Sequence, residues 1–292
     1  MFRPVVILLS LLGGCQTYVG VQADTSAEYL GRFVWQDTDP AFGGLSGLEL
    51  NADGSQIWAL GDRGVLWTGD VMRDDGLIAS IALDSPHTLR TSKGDPVSGS
   101  TADAEGLALS GDGRLYVSFE GLARLAAYPD PNGPAVRIPR AESFADMQGN
   151  ASLEALAIVG SDGALYTLPE RSGAVTRPFP VYRYLDGEWS TVFSIPRTDT
   201  FLPVGADIGP DGLFYLLERD FTGFGFRSRV RRMQMDGTGL ELLLETSTGT
   251  HDNLEGISVW RDAAGDIRLS LVSDDNFRWF QTTEIVEYRV SD

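Results

Sequence analysis

The stretch AEGLALSGDGRLYVSFEG, residues 104 to 121, contains two short alternating runs joined by Asp112-Gly113. An Asp-Gly pair between two such runs is a strong signal for a β-hairpin. The pattern occurs in five segments: LSGLELNADGSQIWALGDRG (45–64), the stretch above, LEALAIVGSDGALYTLPERSG (153–173), VGADIGPDGLFYLLERDF (204–221) and LEGISVWRDAAGDIRLSLVSDDNF (254–277). Five copies of one hairpin predict a repeat fold.

A second hairpin follows each of the first four copies, with turns at Asp75-Gly76, Asn132-Gly133, Asp186-Gly187 and Asp236-Gly237. Each repeat therefore has four antiparallel strands. Repeats of this kind, roughly 50 residues long, are typical of a β-propeller. The sequence thus predicts an all-β chain that forms a single β-propeller of four-stranded blades.

The fifth copy ends with a third strand, TTEIVEYRV (282–290), and lacks an outer one. We expect the segment YLGRFVWQ (29–36) to supply it, because closing the ring with an N-terminal strand removes exposed sheet edges. The count favours five blades. It leaves six open if the segment 73–99 contains a degenerate blade.

The charge balance excludes one broad class of function. The chain has 292 residues, of which 23 are basic and 41 acidic, giving a formal net charge of -18. A nucleic-acid-binding protein needs the opposite sign, whereas cations and neutral substrates suit this surface. With a single cysteine and only His87 and His251 as imidazoles, a zinc site is not expected. The sequence also lacks a G-x-S-x-G nucleophile motif and a glycine-rich phosphate loop.

The N-terminal segment MFRPVVILLSLLGGCQT has one positive charge, Arg3, followed by a short apolar run. That run is too short to span a bilayer and is typical of a signal peptide. Its end, LGGC, resembles a bacterial lipobox with Cys15 as the lipidated residue, and the alternative is a plain secretory signal. The predicted organisation is a signal peptide at 1–14, a tether at 15–28 and one domain at 29–292. We expect a lipid-anchored monomer of the cell envelope, on the periplasmic face of the outer membrane in a Gram-negative host.

Carboxylates recur at two positions of the repeat. The first strand of each blade lines the central channel of a propeller, and near its start the aligned residues are Ser46, Glu105, Glu154, Val204 and Glu255. Near the end of the second strand they are Asp62, Glu120, Glu170, Arg219 and Asp274. Carboxylates crowded at one mouth of the channel repel one another unless a cation or protons intervene.

Ligands that are all oxygen suit Ca²⁺, or Mg²⁺ as an alternative, rather than a soft metal. We therefore predict a Ca²⁺ site whose ligands come from Glu105, Glu154, Glu255, Asp62, Glu170 and Asp274. The alternative is that these residues end strands and satisfy loop backbones.

Arginine follows an acidic residue in Asp62-Arg63, Glu170-Arg171 and Glu218-Arg219. Arginine binds phosphate or carboxylate in a bidentate manner, and each pair is equally consistent with a salt bridge between blades. In FGFRSRVRR (224–232) the arginines at 227, 229 and 231 alternate along one strand face. We expect that face to be solvated.

Several of these motifs together resemble the phytase-like family, which is usually described as having esterase-like activity of phytase. They are GLSGLEL with IWALGDRG, DAEGLAL with LYVSFEG, LEALAI with LYTLPE, FLPVGADIGPDGLFYLLERDF, and DNLEGISVW with LVSDDNF. The resemblance runs from about Gly31 to Val290 and implies a β-propeller that hydrolyses an ester or a phosphate ester. The residues that match the family pattern are Asp62, Arg63, Glu105, Glu120, Glu154, Glu170, Glu218, Arg219, Asp220, Glu255, Asp274, Asp275 and Asn276.

Two functions fit these features. The first is a cation-dependent hydrolase of a small-molecule ester or phosphoester, in which Ca²⁺ polarises the ester. Glu105 or Glu255 would then act as general base, and Arg63 or Arg219 would hold the anionic leaving side. The second is a non-catalytic binding or scaffold module of the cell envelope, with a cation that only stiffens the propeller.

Overall fold

A computed structural model of the chain describes residues 26–145, 147 and 152–290. These residues form five antiparallel sheets arranged in a ring, so the protein is a five-bladed β-propeller. The predicted signal peptide and Cys15 lie outside the described residues. No described helix is long and apolar enough to cross a bilayer.

The strands are numbered along the chain, beginning with β1 (Ala27–Val34). Blade 1 contains β2 (Leu45–Leu50), β3 (Gln56–Gly61), β4 (Val65–Asp74), β5 (Leu77–Leu83) and the short β6 (His87–Thr88), which pairs with β4. Blade 2 contains β7 (Ala104–Leu109), β8 (Leu115–Phe119), β9 (Arg124–Tyr128) and β10 (Val136–Arg137). Blade 3 contains β11 (Leu153–Ile158), β12 (Leu165–Pro169), β13 (Phe179–Leu185) and β14 (Glu188–Ile195).

Blade 4 contains β15 (Leu202–Ile208), β16 (Phe214–Phe221), β17 (Phe226–Met233) and β18 (Glu241–Glu245). Blade 5 contains β19 (Asn253–Arg261), β20 (Ile267–Asp274) and β21 (Glu284–Val290), and β1 is its outer strand. Two single-turn 3₁₀ helices occupy Gly99–Thr101 and Glu142–Phe144. The segment 73–99, in which a degenerate sixth blade was possible, contains the end of β4 together with β5 and β6, all of which belong to blade 1.

The N-terminal strand closes the ring as expected from the sequence. β1 runs antiparallel to β21, from Ala27 opposite Val290 to Val34 opposite Glu284. Five buried apolar clusters fill the spaces between successive blades, and one of them joins Trp35 and Leu45 to Trp260 of blade 5. Burial between blades, in the absence of disulfides, therefore stabilises the ring.

The turns have the geometry that their Asp-Gly pairs predict. In the first hairpins of blades 1 and 2, Gly54 and Gly113 have φ values of 70° and 83°. In the second hairpin of blade 1, Asp75 and Gly76 both have positive φ, at 48° and 76°. A two-residue turn with both residues in this region matches the twist of the strands that it joins.

Each of the five inner strands has a β-bulge near its start. The register skips one residue between Leu45 and Gly47 of β2, and one at the equivalent place in β11, β15 and β19. In β7 it skips two residues, between Ala104 and Leu107. The skipped positions include Ser46, Glu105, Glu154, Val204 and Glu255. These are the aligned residues of the sequence repeat, and a bulge re-aims the side chain of its extra residue.

Small residues after the bulges let the inner strands approach one another closely. A Cβ atom on Gly106 would lie 2.6 Å from the carbonyl oxygen of Glu154, and one on Gly205 would lie 2.6 Å from that of Glu255. The residues at this position are Gly47, Gly106, Ala155, Gly205 and Gly256. The five inner strands contact one another around the ring, and β15 also contacts β2 and β7 across it, so the channel is narrow.

We predict that Gly205→Ala lowers the free energy of unfolding by about 2 kcal/mol, because an added methyl overpacks the contact with blade 5. The matched control is Gly160→Ala, where an added Cβ has no atom within 4 Å. It should change stability by less than about 1 kcal/mol. Chemical denaturation measures both, and a Gly205→Ala protein as stable as the wild type would contradict the close approach.

Candidate functional site

The bulges and the ends of the second strands bring carboxylates together at one mouth of the channel. Two groups of three have carboxylate oxygens within 4.8 Å of one another, and Glu120 belongs to both. The groups are Asp103 with Glu105 and Glu120, and Glu120 with Glu154 and Glu170. We call these five residues the mouth cluster.

Three carboxyl groups of the mouth cluster lie in an environment that disfavours charge. Burial raises the pKa of Glu105 well above its ordinary value, and repulsion from Glu255 and Glu120 adds to it. The pKa of Glu154 is also raised well above its ordinary value, mainly by burial and secondly by repulsion from Glu105. The pKa of Glu120 is raised to about 7, mainly by burial. Without a cation, the cluster therefore retains protons near neutral pH.

Arg219 compensates the carboxylates on the other side of the mouth. It reaches from blade 4 to both neighbouring blades, donating to Glu170 at 3.2 Å, to Asn253 at 2.8 Å and to Glu255. Although burial lowers the pKa of Arg219, the charges of Glu255 and its neighbours raise it overall. Of the two open interpretations of the acid-arginine pairs, this arginine therefore fits a salt bridge between blades.

The predicted site residues thus fall into different surroundings. Glu105 and Glu154 lie in the two groups that share Glu120, whereas Glu255 is held by Arg219 and Asn253. The ligand set predicted from the sequence omits Asp103 and Glu120, which the structure places among the other carboxylates. Glu120 occupies the same repeat position as Glu170, and that equivalence was the signal available in the sequence.

Asp62 and Asp274 lie at the edge of the mouth, outside both close groups of the described residues. Burial raises the pKa of Asp62 to about 6 and that of Asp274 to about 8, and the charge of Glu255 contributes to both. Arg63 is exposed, and its guanidinium lies 3.4 Å from the centre of the Phe277 ring. Stacked on that ring, Arg63 does not line the cavity described next, which opens above the mouth.

A cavity of about 1000 Å³ opens above the mouth, and Glu170, Arg219 and Asn253 form part of its wall. Its rim carries the exposed rings of Phe221, Phe224 and Phe280 together with further arginines. The arginines that line it are Arg32, Arg171, Arg219 and Arg278. The lining is mainly polar and charged, with the phenylalanine rings at its edge, and the volume is large enough for a small molecule.

His251 also lines this cavity, but it is not placed as a base beside a nucleophile. Its Nε2 lies 2.6 Å from the hydroxyl oxygen of Tyr288. Burial lowers the pKa of the His251 imidazole to about 4, so the ring is neutral at physiological pH. Its neighbour Asp252 accepts hydrogen bonds from the backbone of Asn253 and Thr282, which gives it a structural role.

The prediction of a solvated arginine face on β17 is wrong. Arg229 and Arg231 are buried and both donate in bidentate fashion to the fully buried carboxylate of Glu218, at 2.6 to 3.0 Å. Arg227 pairs with Asp220 at 2.8 Å. Alternation indicates which residues share a face, but it does not show that the neighbouring strand β16 carries a buried acid, Glu218, facing them.

The mouth cluster has the chemistry that a hard divalent cation requires. Its donors are all carboxylate oxygens, and the described residues offer no salt-bridge partner within 4 Å to Glu105, Glu120 or Glu154. Beside the cluster, the buried Oδ1 of Asp62 has no hydrogen-bond donor. Carboxylate oxygens without a cationic partner fit Ca²⁺ or Mg²⁺.

Fold and site together define a β-propeller with an acidic channel mouth beneath a cavity of about 1000 Å³. The chain belongs to the phytase-like family, described as esterase-like activity of phytase, whose sequence profile matches residues 40–277. The resemblance found in the sequence is thereby confirmed. No curated protein sequence matches the chain significantly.

Solved structures share the fold at low sequence identity. An α-L-arabinofuranosidase from Podospora anserina, solved with cellotriose, is 12% identical with a TM-score of 0.53, covering 92% of this chain and 97% of that one. An α-L-arabinofuranosidase from Coprinopsis cinerea is 10% identical with a TM-score of 0.54, covering 91% and 96%. At these identities the similarities show the fold alone.

A second pair of buried acids lies deeper in the channel, three residues beyond the bulge position. Asp207 accepts from the backbone of Val259 at 2.6 Å, and Glu49 lies near Ser258 of the same strand. Burial raises the pKa of Asp207 to about 7. Burial and repulsion from Asp207 raise the pKa of Glu49 well above its ordinary value.

This pair predicts a pH dependence of stability. Because both pKa values are raised on folding, the folded protein binds more protons, and the stabilisation is complete only below the ordinary pKa of about 4. It is lost as the pH rises through 7. The free energy of unfolding should therefore fall between pH 5 and pH 8, and Glu49→Gln should reduce that fall by roughly 1 kcal/mol or more. Denaturation curves for both proteins across this range test it, and parallel pH profiles would contradict it.

Proposed function

We propose that this protein is a cation-dependent hydrolase of a small ester or phosphoester, working where the channel mouth meets the cavity. The observation that carries the proposal is a mouth cluster in which Glu105, Glu120 and Glu154 lack a described cationic partner, next to a 1000 Å³ cavity whose lining includes four arginines. Membership of a family described as esterase-like supports the same reaction class.

The mouth cluster would hold Ca²⁺, with Glu120 shared between its two sides. A bound Ca²⁺ would polarise the ester and offset the negative charge that develops during hydrolysis. A densely anionic substrate would also depend on that cation, because the chain is strongly acidic and has one lysine. A smaller or less charged ester matches the mixed lining of the cavity more closely.

Glu255 is the carboxylate best suited to take a proton from an attacking water. Arg219 and Asn253 both lower its pKa and partly offset the burial that raises it. The ionised form is thus favoured relative to Glu105 and Glu154, and a general base must be unprotonated. Arg219, which reaches from the cavity wall to Glu255, would orient the base and hold an anionic group of the substrate.

A second function, a binding module with a structural cation, is favoured by one observation. Arg219 joins blades 3, 4 and 5 through Glu170 and Glu255, so the polar groups at the mouth also hold the ring together. Such a protein would be stabilised by Ca²⁺ without turning over an ester.

The two functions separate in one experiment on chelator-stripped mature protein, assayed with p-nitrophenyl acetate and p-nitrophenyl phosphate. We expect Ca²⁺ to restore turnover and, at about 100 times its Kd, to raise the free energy of unfolding by about 3 kcal/mol. Glu120→Gln should weaken both effects. Glu255→Gln should keep the thermal shift and lose roughly 100-fold or more in turnover.

The matched control is Glu188→Gln, an exposed acid on the outer strand β14, which should behave as the wild type. A Ca²⁺-induced thermal shift without turnover would establish the binding module instead. If neither stability nor turnover responds to Ca²⁺, the cation site is refuted.

We also propose that Cys15 is lipidated and anchors the protein in the cell envelope, at the periplasmic face of the outer membrane in a Gram-negative host. Ala27 begins β1 beside Val290, at the far end of β21 from Glu284, and Glu284 lines the cavity. An anchor preceding Ala27 would therefore leave the cavity facing away from the membrane. Mass spectrometry of the mature N-terminus checks this, and an unmodified Cys15 would contradict it.

A further inference from the structure

A second cavity, of about 740 Å³, lies between blades 1 and 2 and shares no residue with the mouth cluster. We call it the blade-2 cavity. Its floor is apolar and recessed, formed by Leu125, Ala126 and Tyr128, which are each at most 5% exposed. The two-residue strand β10 covers little of β9, and the loop after β6 forms the facing wall. A concave apolar pocket of this size is suited to a small molecule.

The rim of the blade-2 cavity carries four cations and one carboxylate. The cations are Lys93, Arg124, Arg137 and Arg140, and the carboxylate is Asp95. None of the four forms a salt bridge within the described part of the chain. Acids outnumber bases by 41 to 23 in this protein, so four cations beside one carboxylate reverse the overall balance of charge.

Two of these guanidinium groups are fixed in place by neutral acceptors. Arg124 donates to the carbonyl oxygen of Thr101 at 2.6 Å, and Arg140 donates to that of Ala123 at 2.7 Å. Burial lowers the pKa of Arg124, Tyr128 and Asp103 partly offset this, and the charge of Arg140 lowers it again. Two like charges that repel each other and have no salt-bridge partner in the described residues favour binding of an anion beside them.

We propose that the blade-2 cavity binds a free anionic amphiphile, that is, a molecule with an alkyl or aryl body and one carboxylate, sulfonate or phosphate headgroup. The body would occupy the apolar floor, and the headgroup would meet the cationic rim. The ligand is a dissolved molecule rather than a bilayer, because the floor is recessed beneath the rim and a flat membrane surface would not reach it.

The probe is 8-anilinonaphthalene-1-sulfonate, titrated by fluorescence into the mature protein and competed with decanoate. Lys93→Gln combined with Arg137→Gln removes two exposed rim charges, so folding should be unaffected, and affinity should fall about tenfold or more. The matched control, Arg114→Gln with Arg177→Gln, removes two exposed charges elsewhere and should leave affinity unchanged. Ala135→Phe, which fills the cavity, should also weaken binding.

The neutral analogue N-phenyl-1-naphthylamine should bind more weakly than the sulfonate and should not respond to the rim variant. Equal losses in the rim and control variants would overturn the proposal, since they would show a general charge effect. Absence of saturable binding would overturn it as well. So would binding to phosphatidylglycerol vesicles that depends on Lys93 and Arg137 when decanoate does not compete.

Discussion

The close approach of five inner strands, made possible by small residues just after a bulge, is the constraint on which the rest of this structure depends. With Gly106 and Gly205 in van der Waals contact with the next blade, there is room for one narrow channel and no more. The bulge residue before each of them has its side chain re-aimed. Where that residue is glutamate, packing of the ring places a carboxylate at the mouth.

The charges at the channel mouth are distributed unevenly among the blades. Blade 4 has Val204 at the bulge and contributes Arg219, which neutralises Glu170 and Glu255 on either side. Blades 2 and 3 have glutamate at the bulge and another carboxylate at the end of the second strand. Of these four carboxylates, only Glu170 pairs with arginine in the described part of the chain. Protons or a cation must therefore balance the charges of Glu105, Glu120 and Glu154. In the proposed mechanism, the carboxylates of blades 2 and 3 would therefore bind the cation. The region around Arg219 and Glu255 would supply the base and bind an anionic group of the substrate.

Much of the fold follows from the sequence because it depends on local and periodic signals. Asp-Gly turns, alternating strands and a missing fifth outer strand were enough to favour five blades over six and to predict closure by β1. The mouth carboxylates were also visible as a repeat position. The register between strands was not visible in the sequence. For that reason neither the bulges nor the second acidic position, which holds Glu49 and Asp207, could be predicted.

A repeat pattern does not predict which side chains contact each other between blades. The partners of Arg219 are 34 to 49 residues away along the chain. Burial of Arg229 and Arg231 against Glu218 likewise depends on which sheet face turns inward. Alternation cannot decide that, because it leaves both faces of β17 equivalent.

The central claim is that the bulged glutamates of blades 2 and 3 create a cation site at the channel mouth. The most direct measurement is anomalous scattering from crystals of the mature protein grown with Mn²⁺ as a substitute for Ca²⁺. The account predicts a peak within bonding distance of Glu120 and of at least two among Asp103, Glu105, Glu154 and Glu170. A well-ordered mouth with no peak, or a peak only elsewhere on the surface, would contradict it.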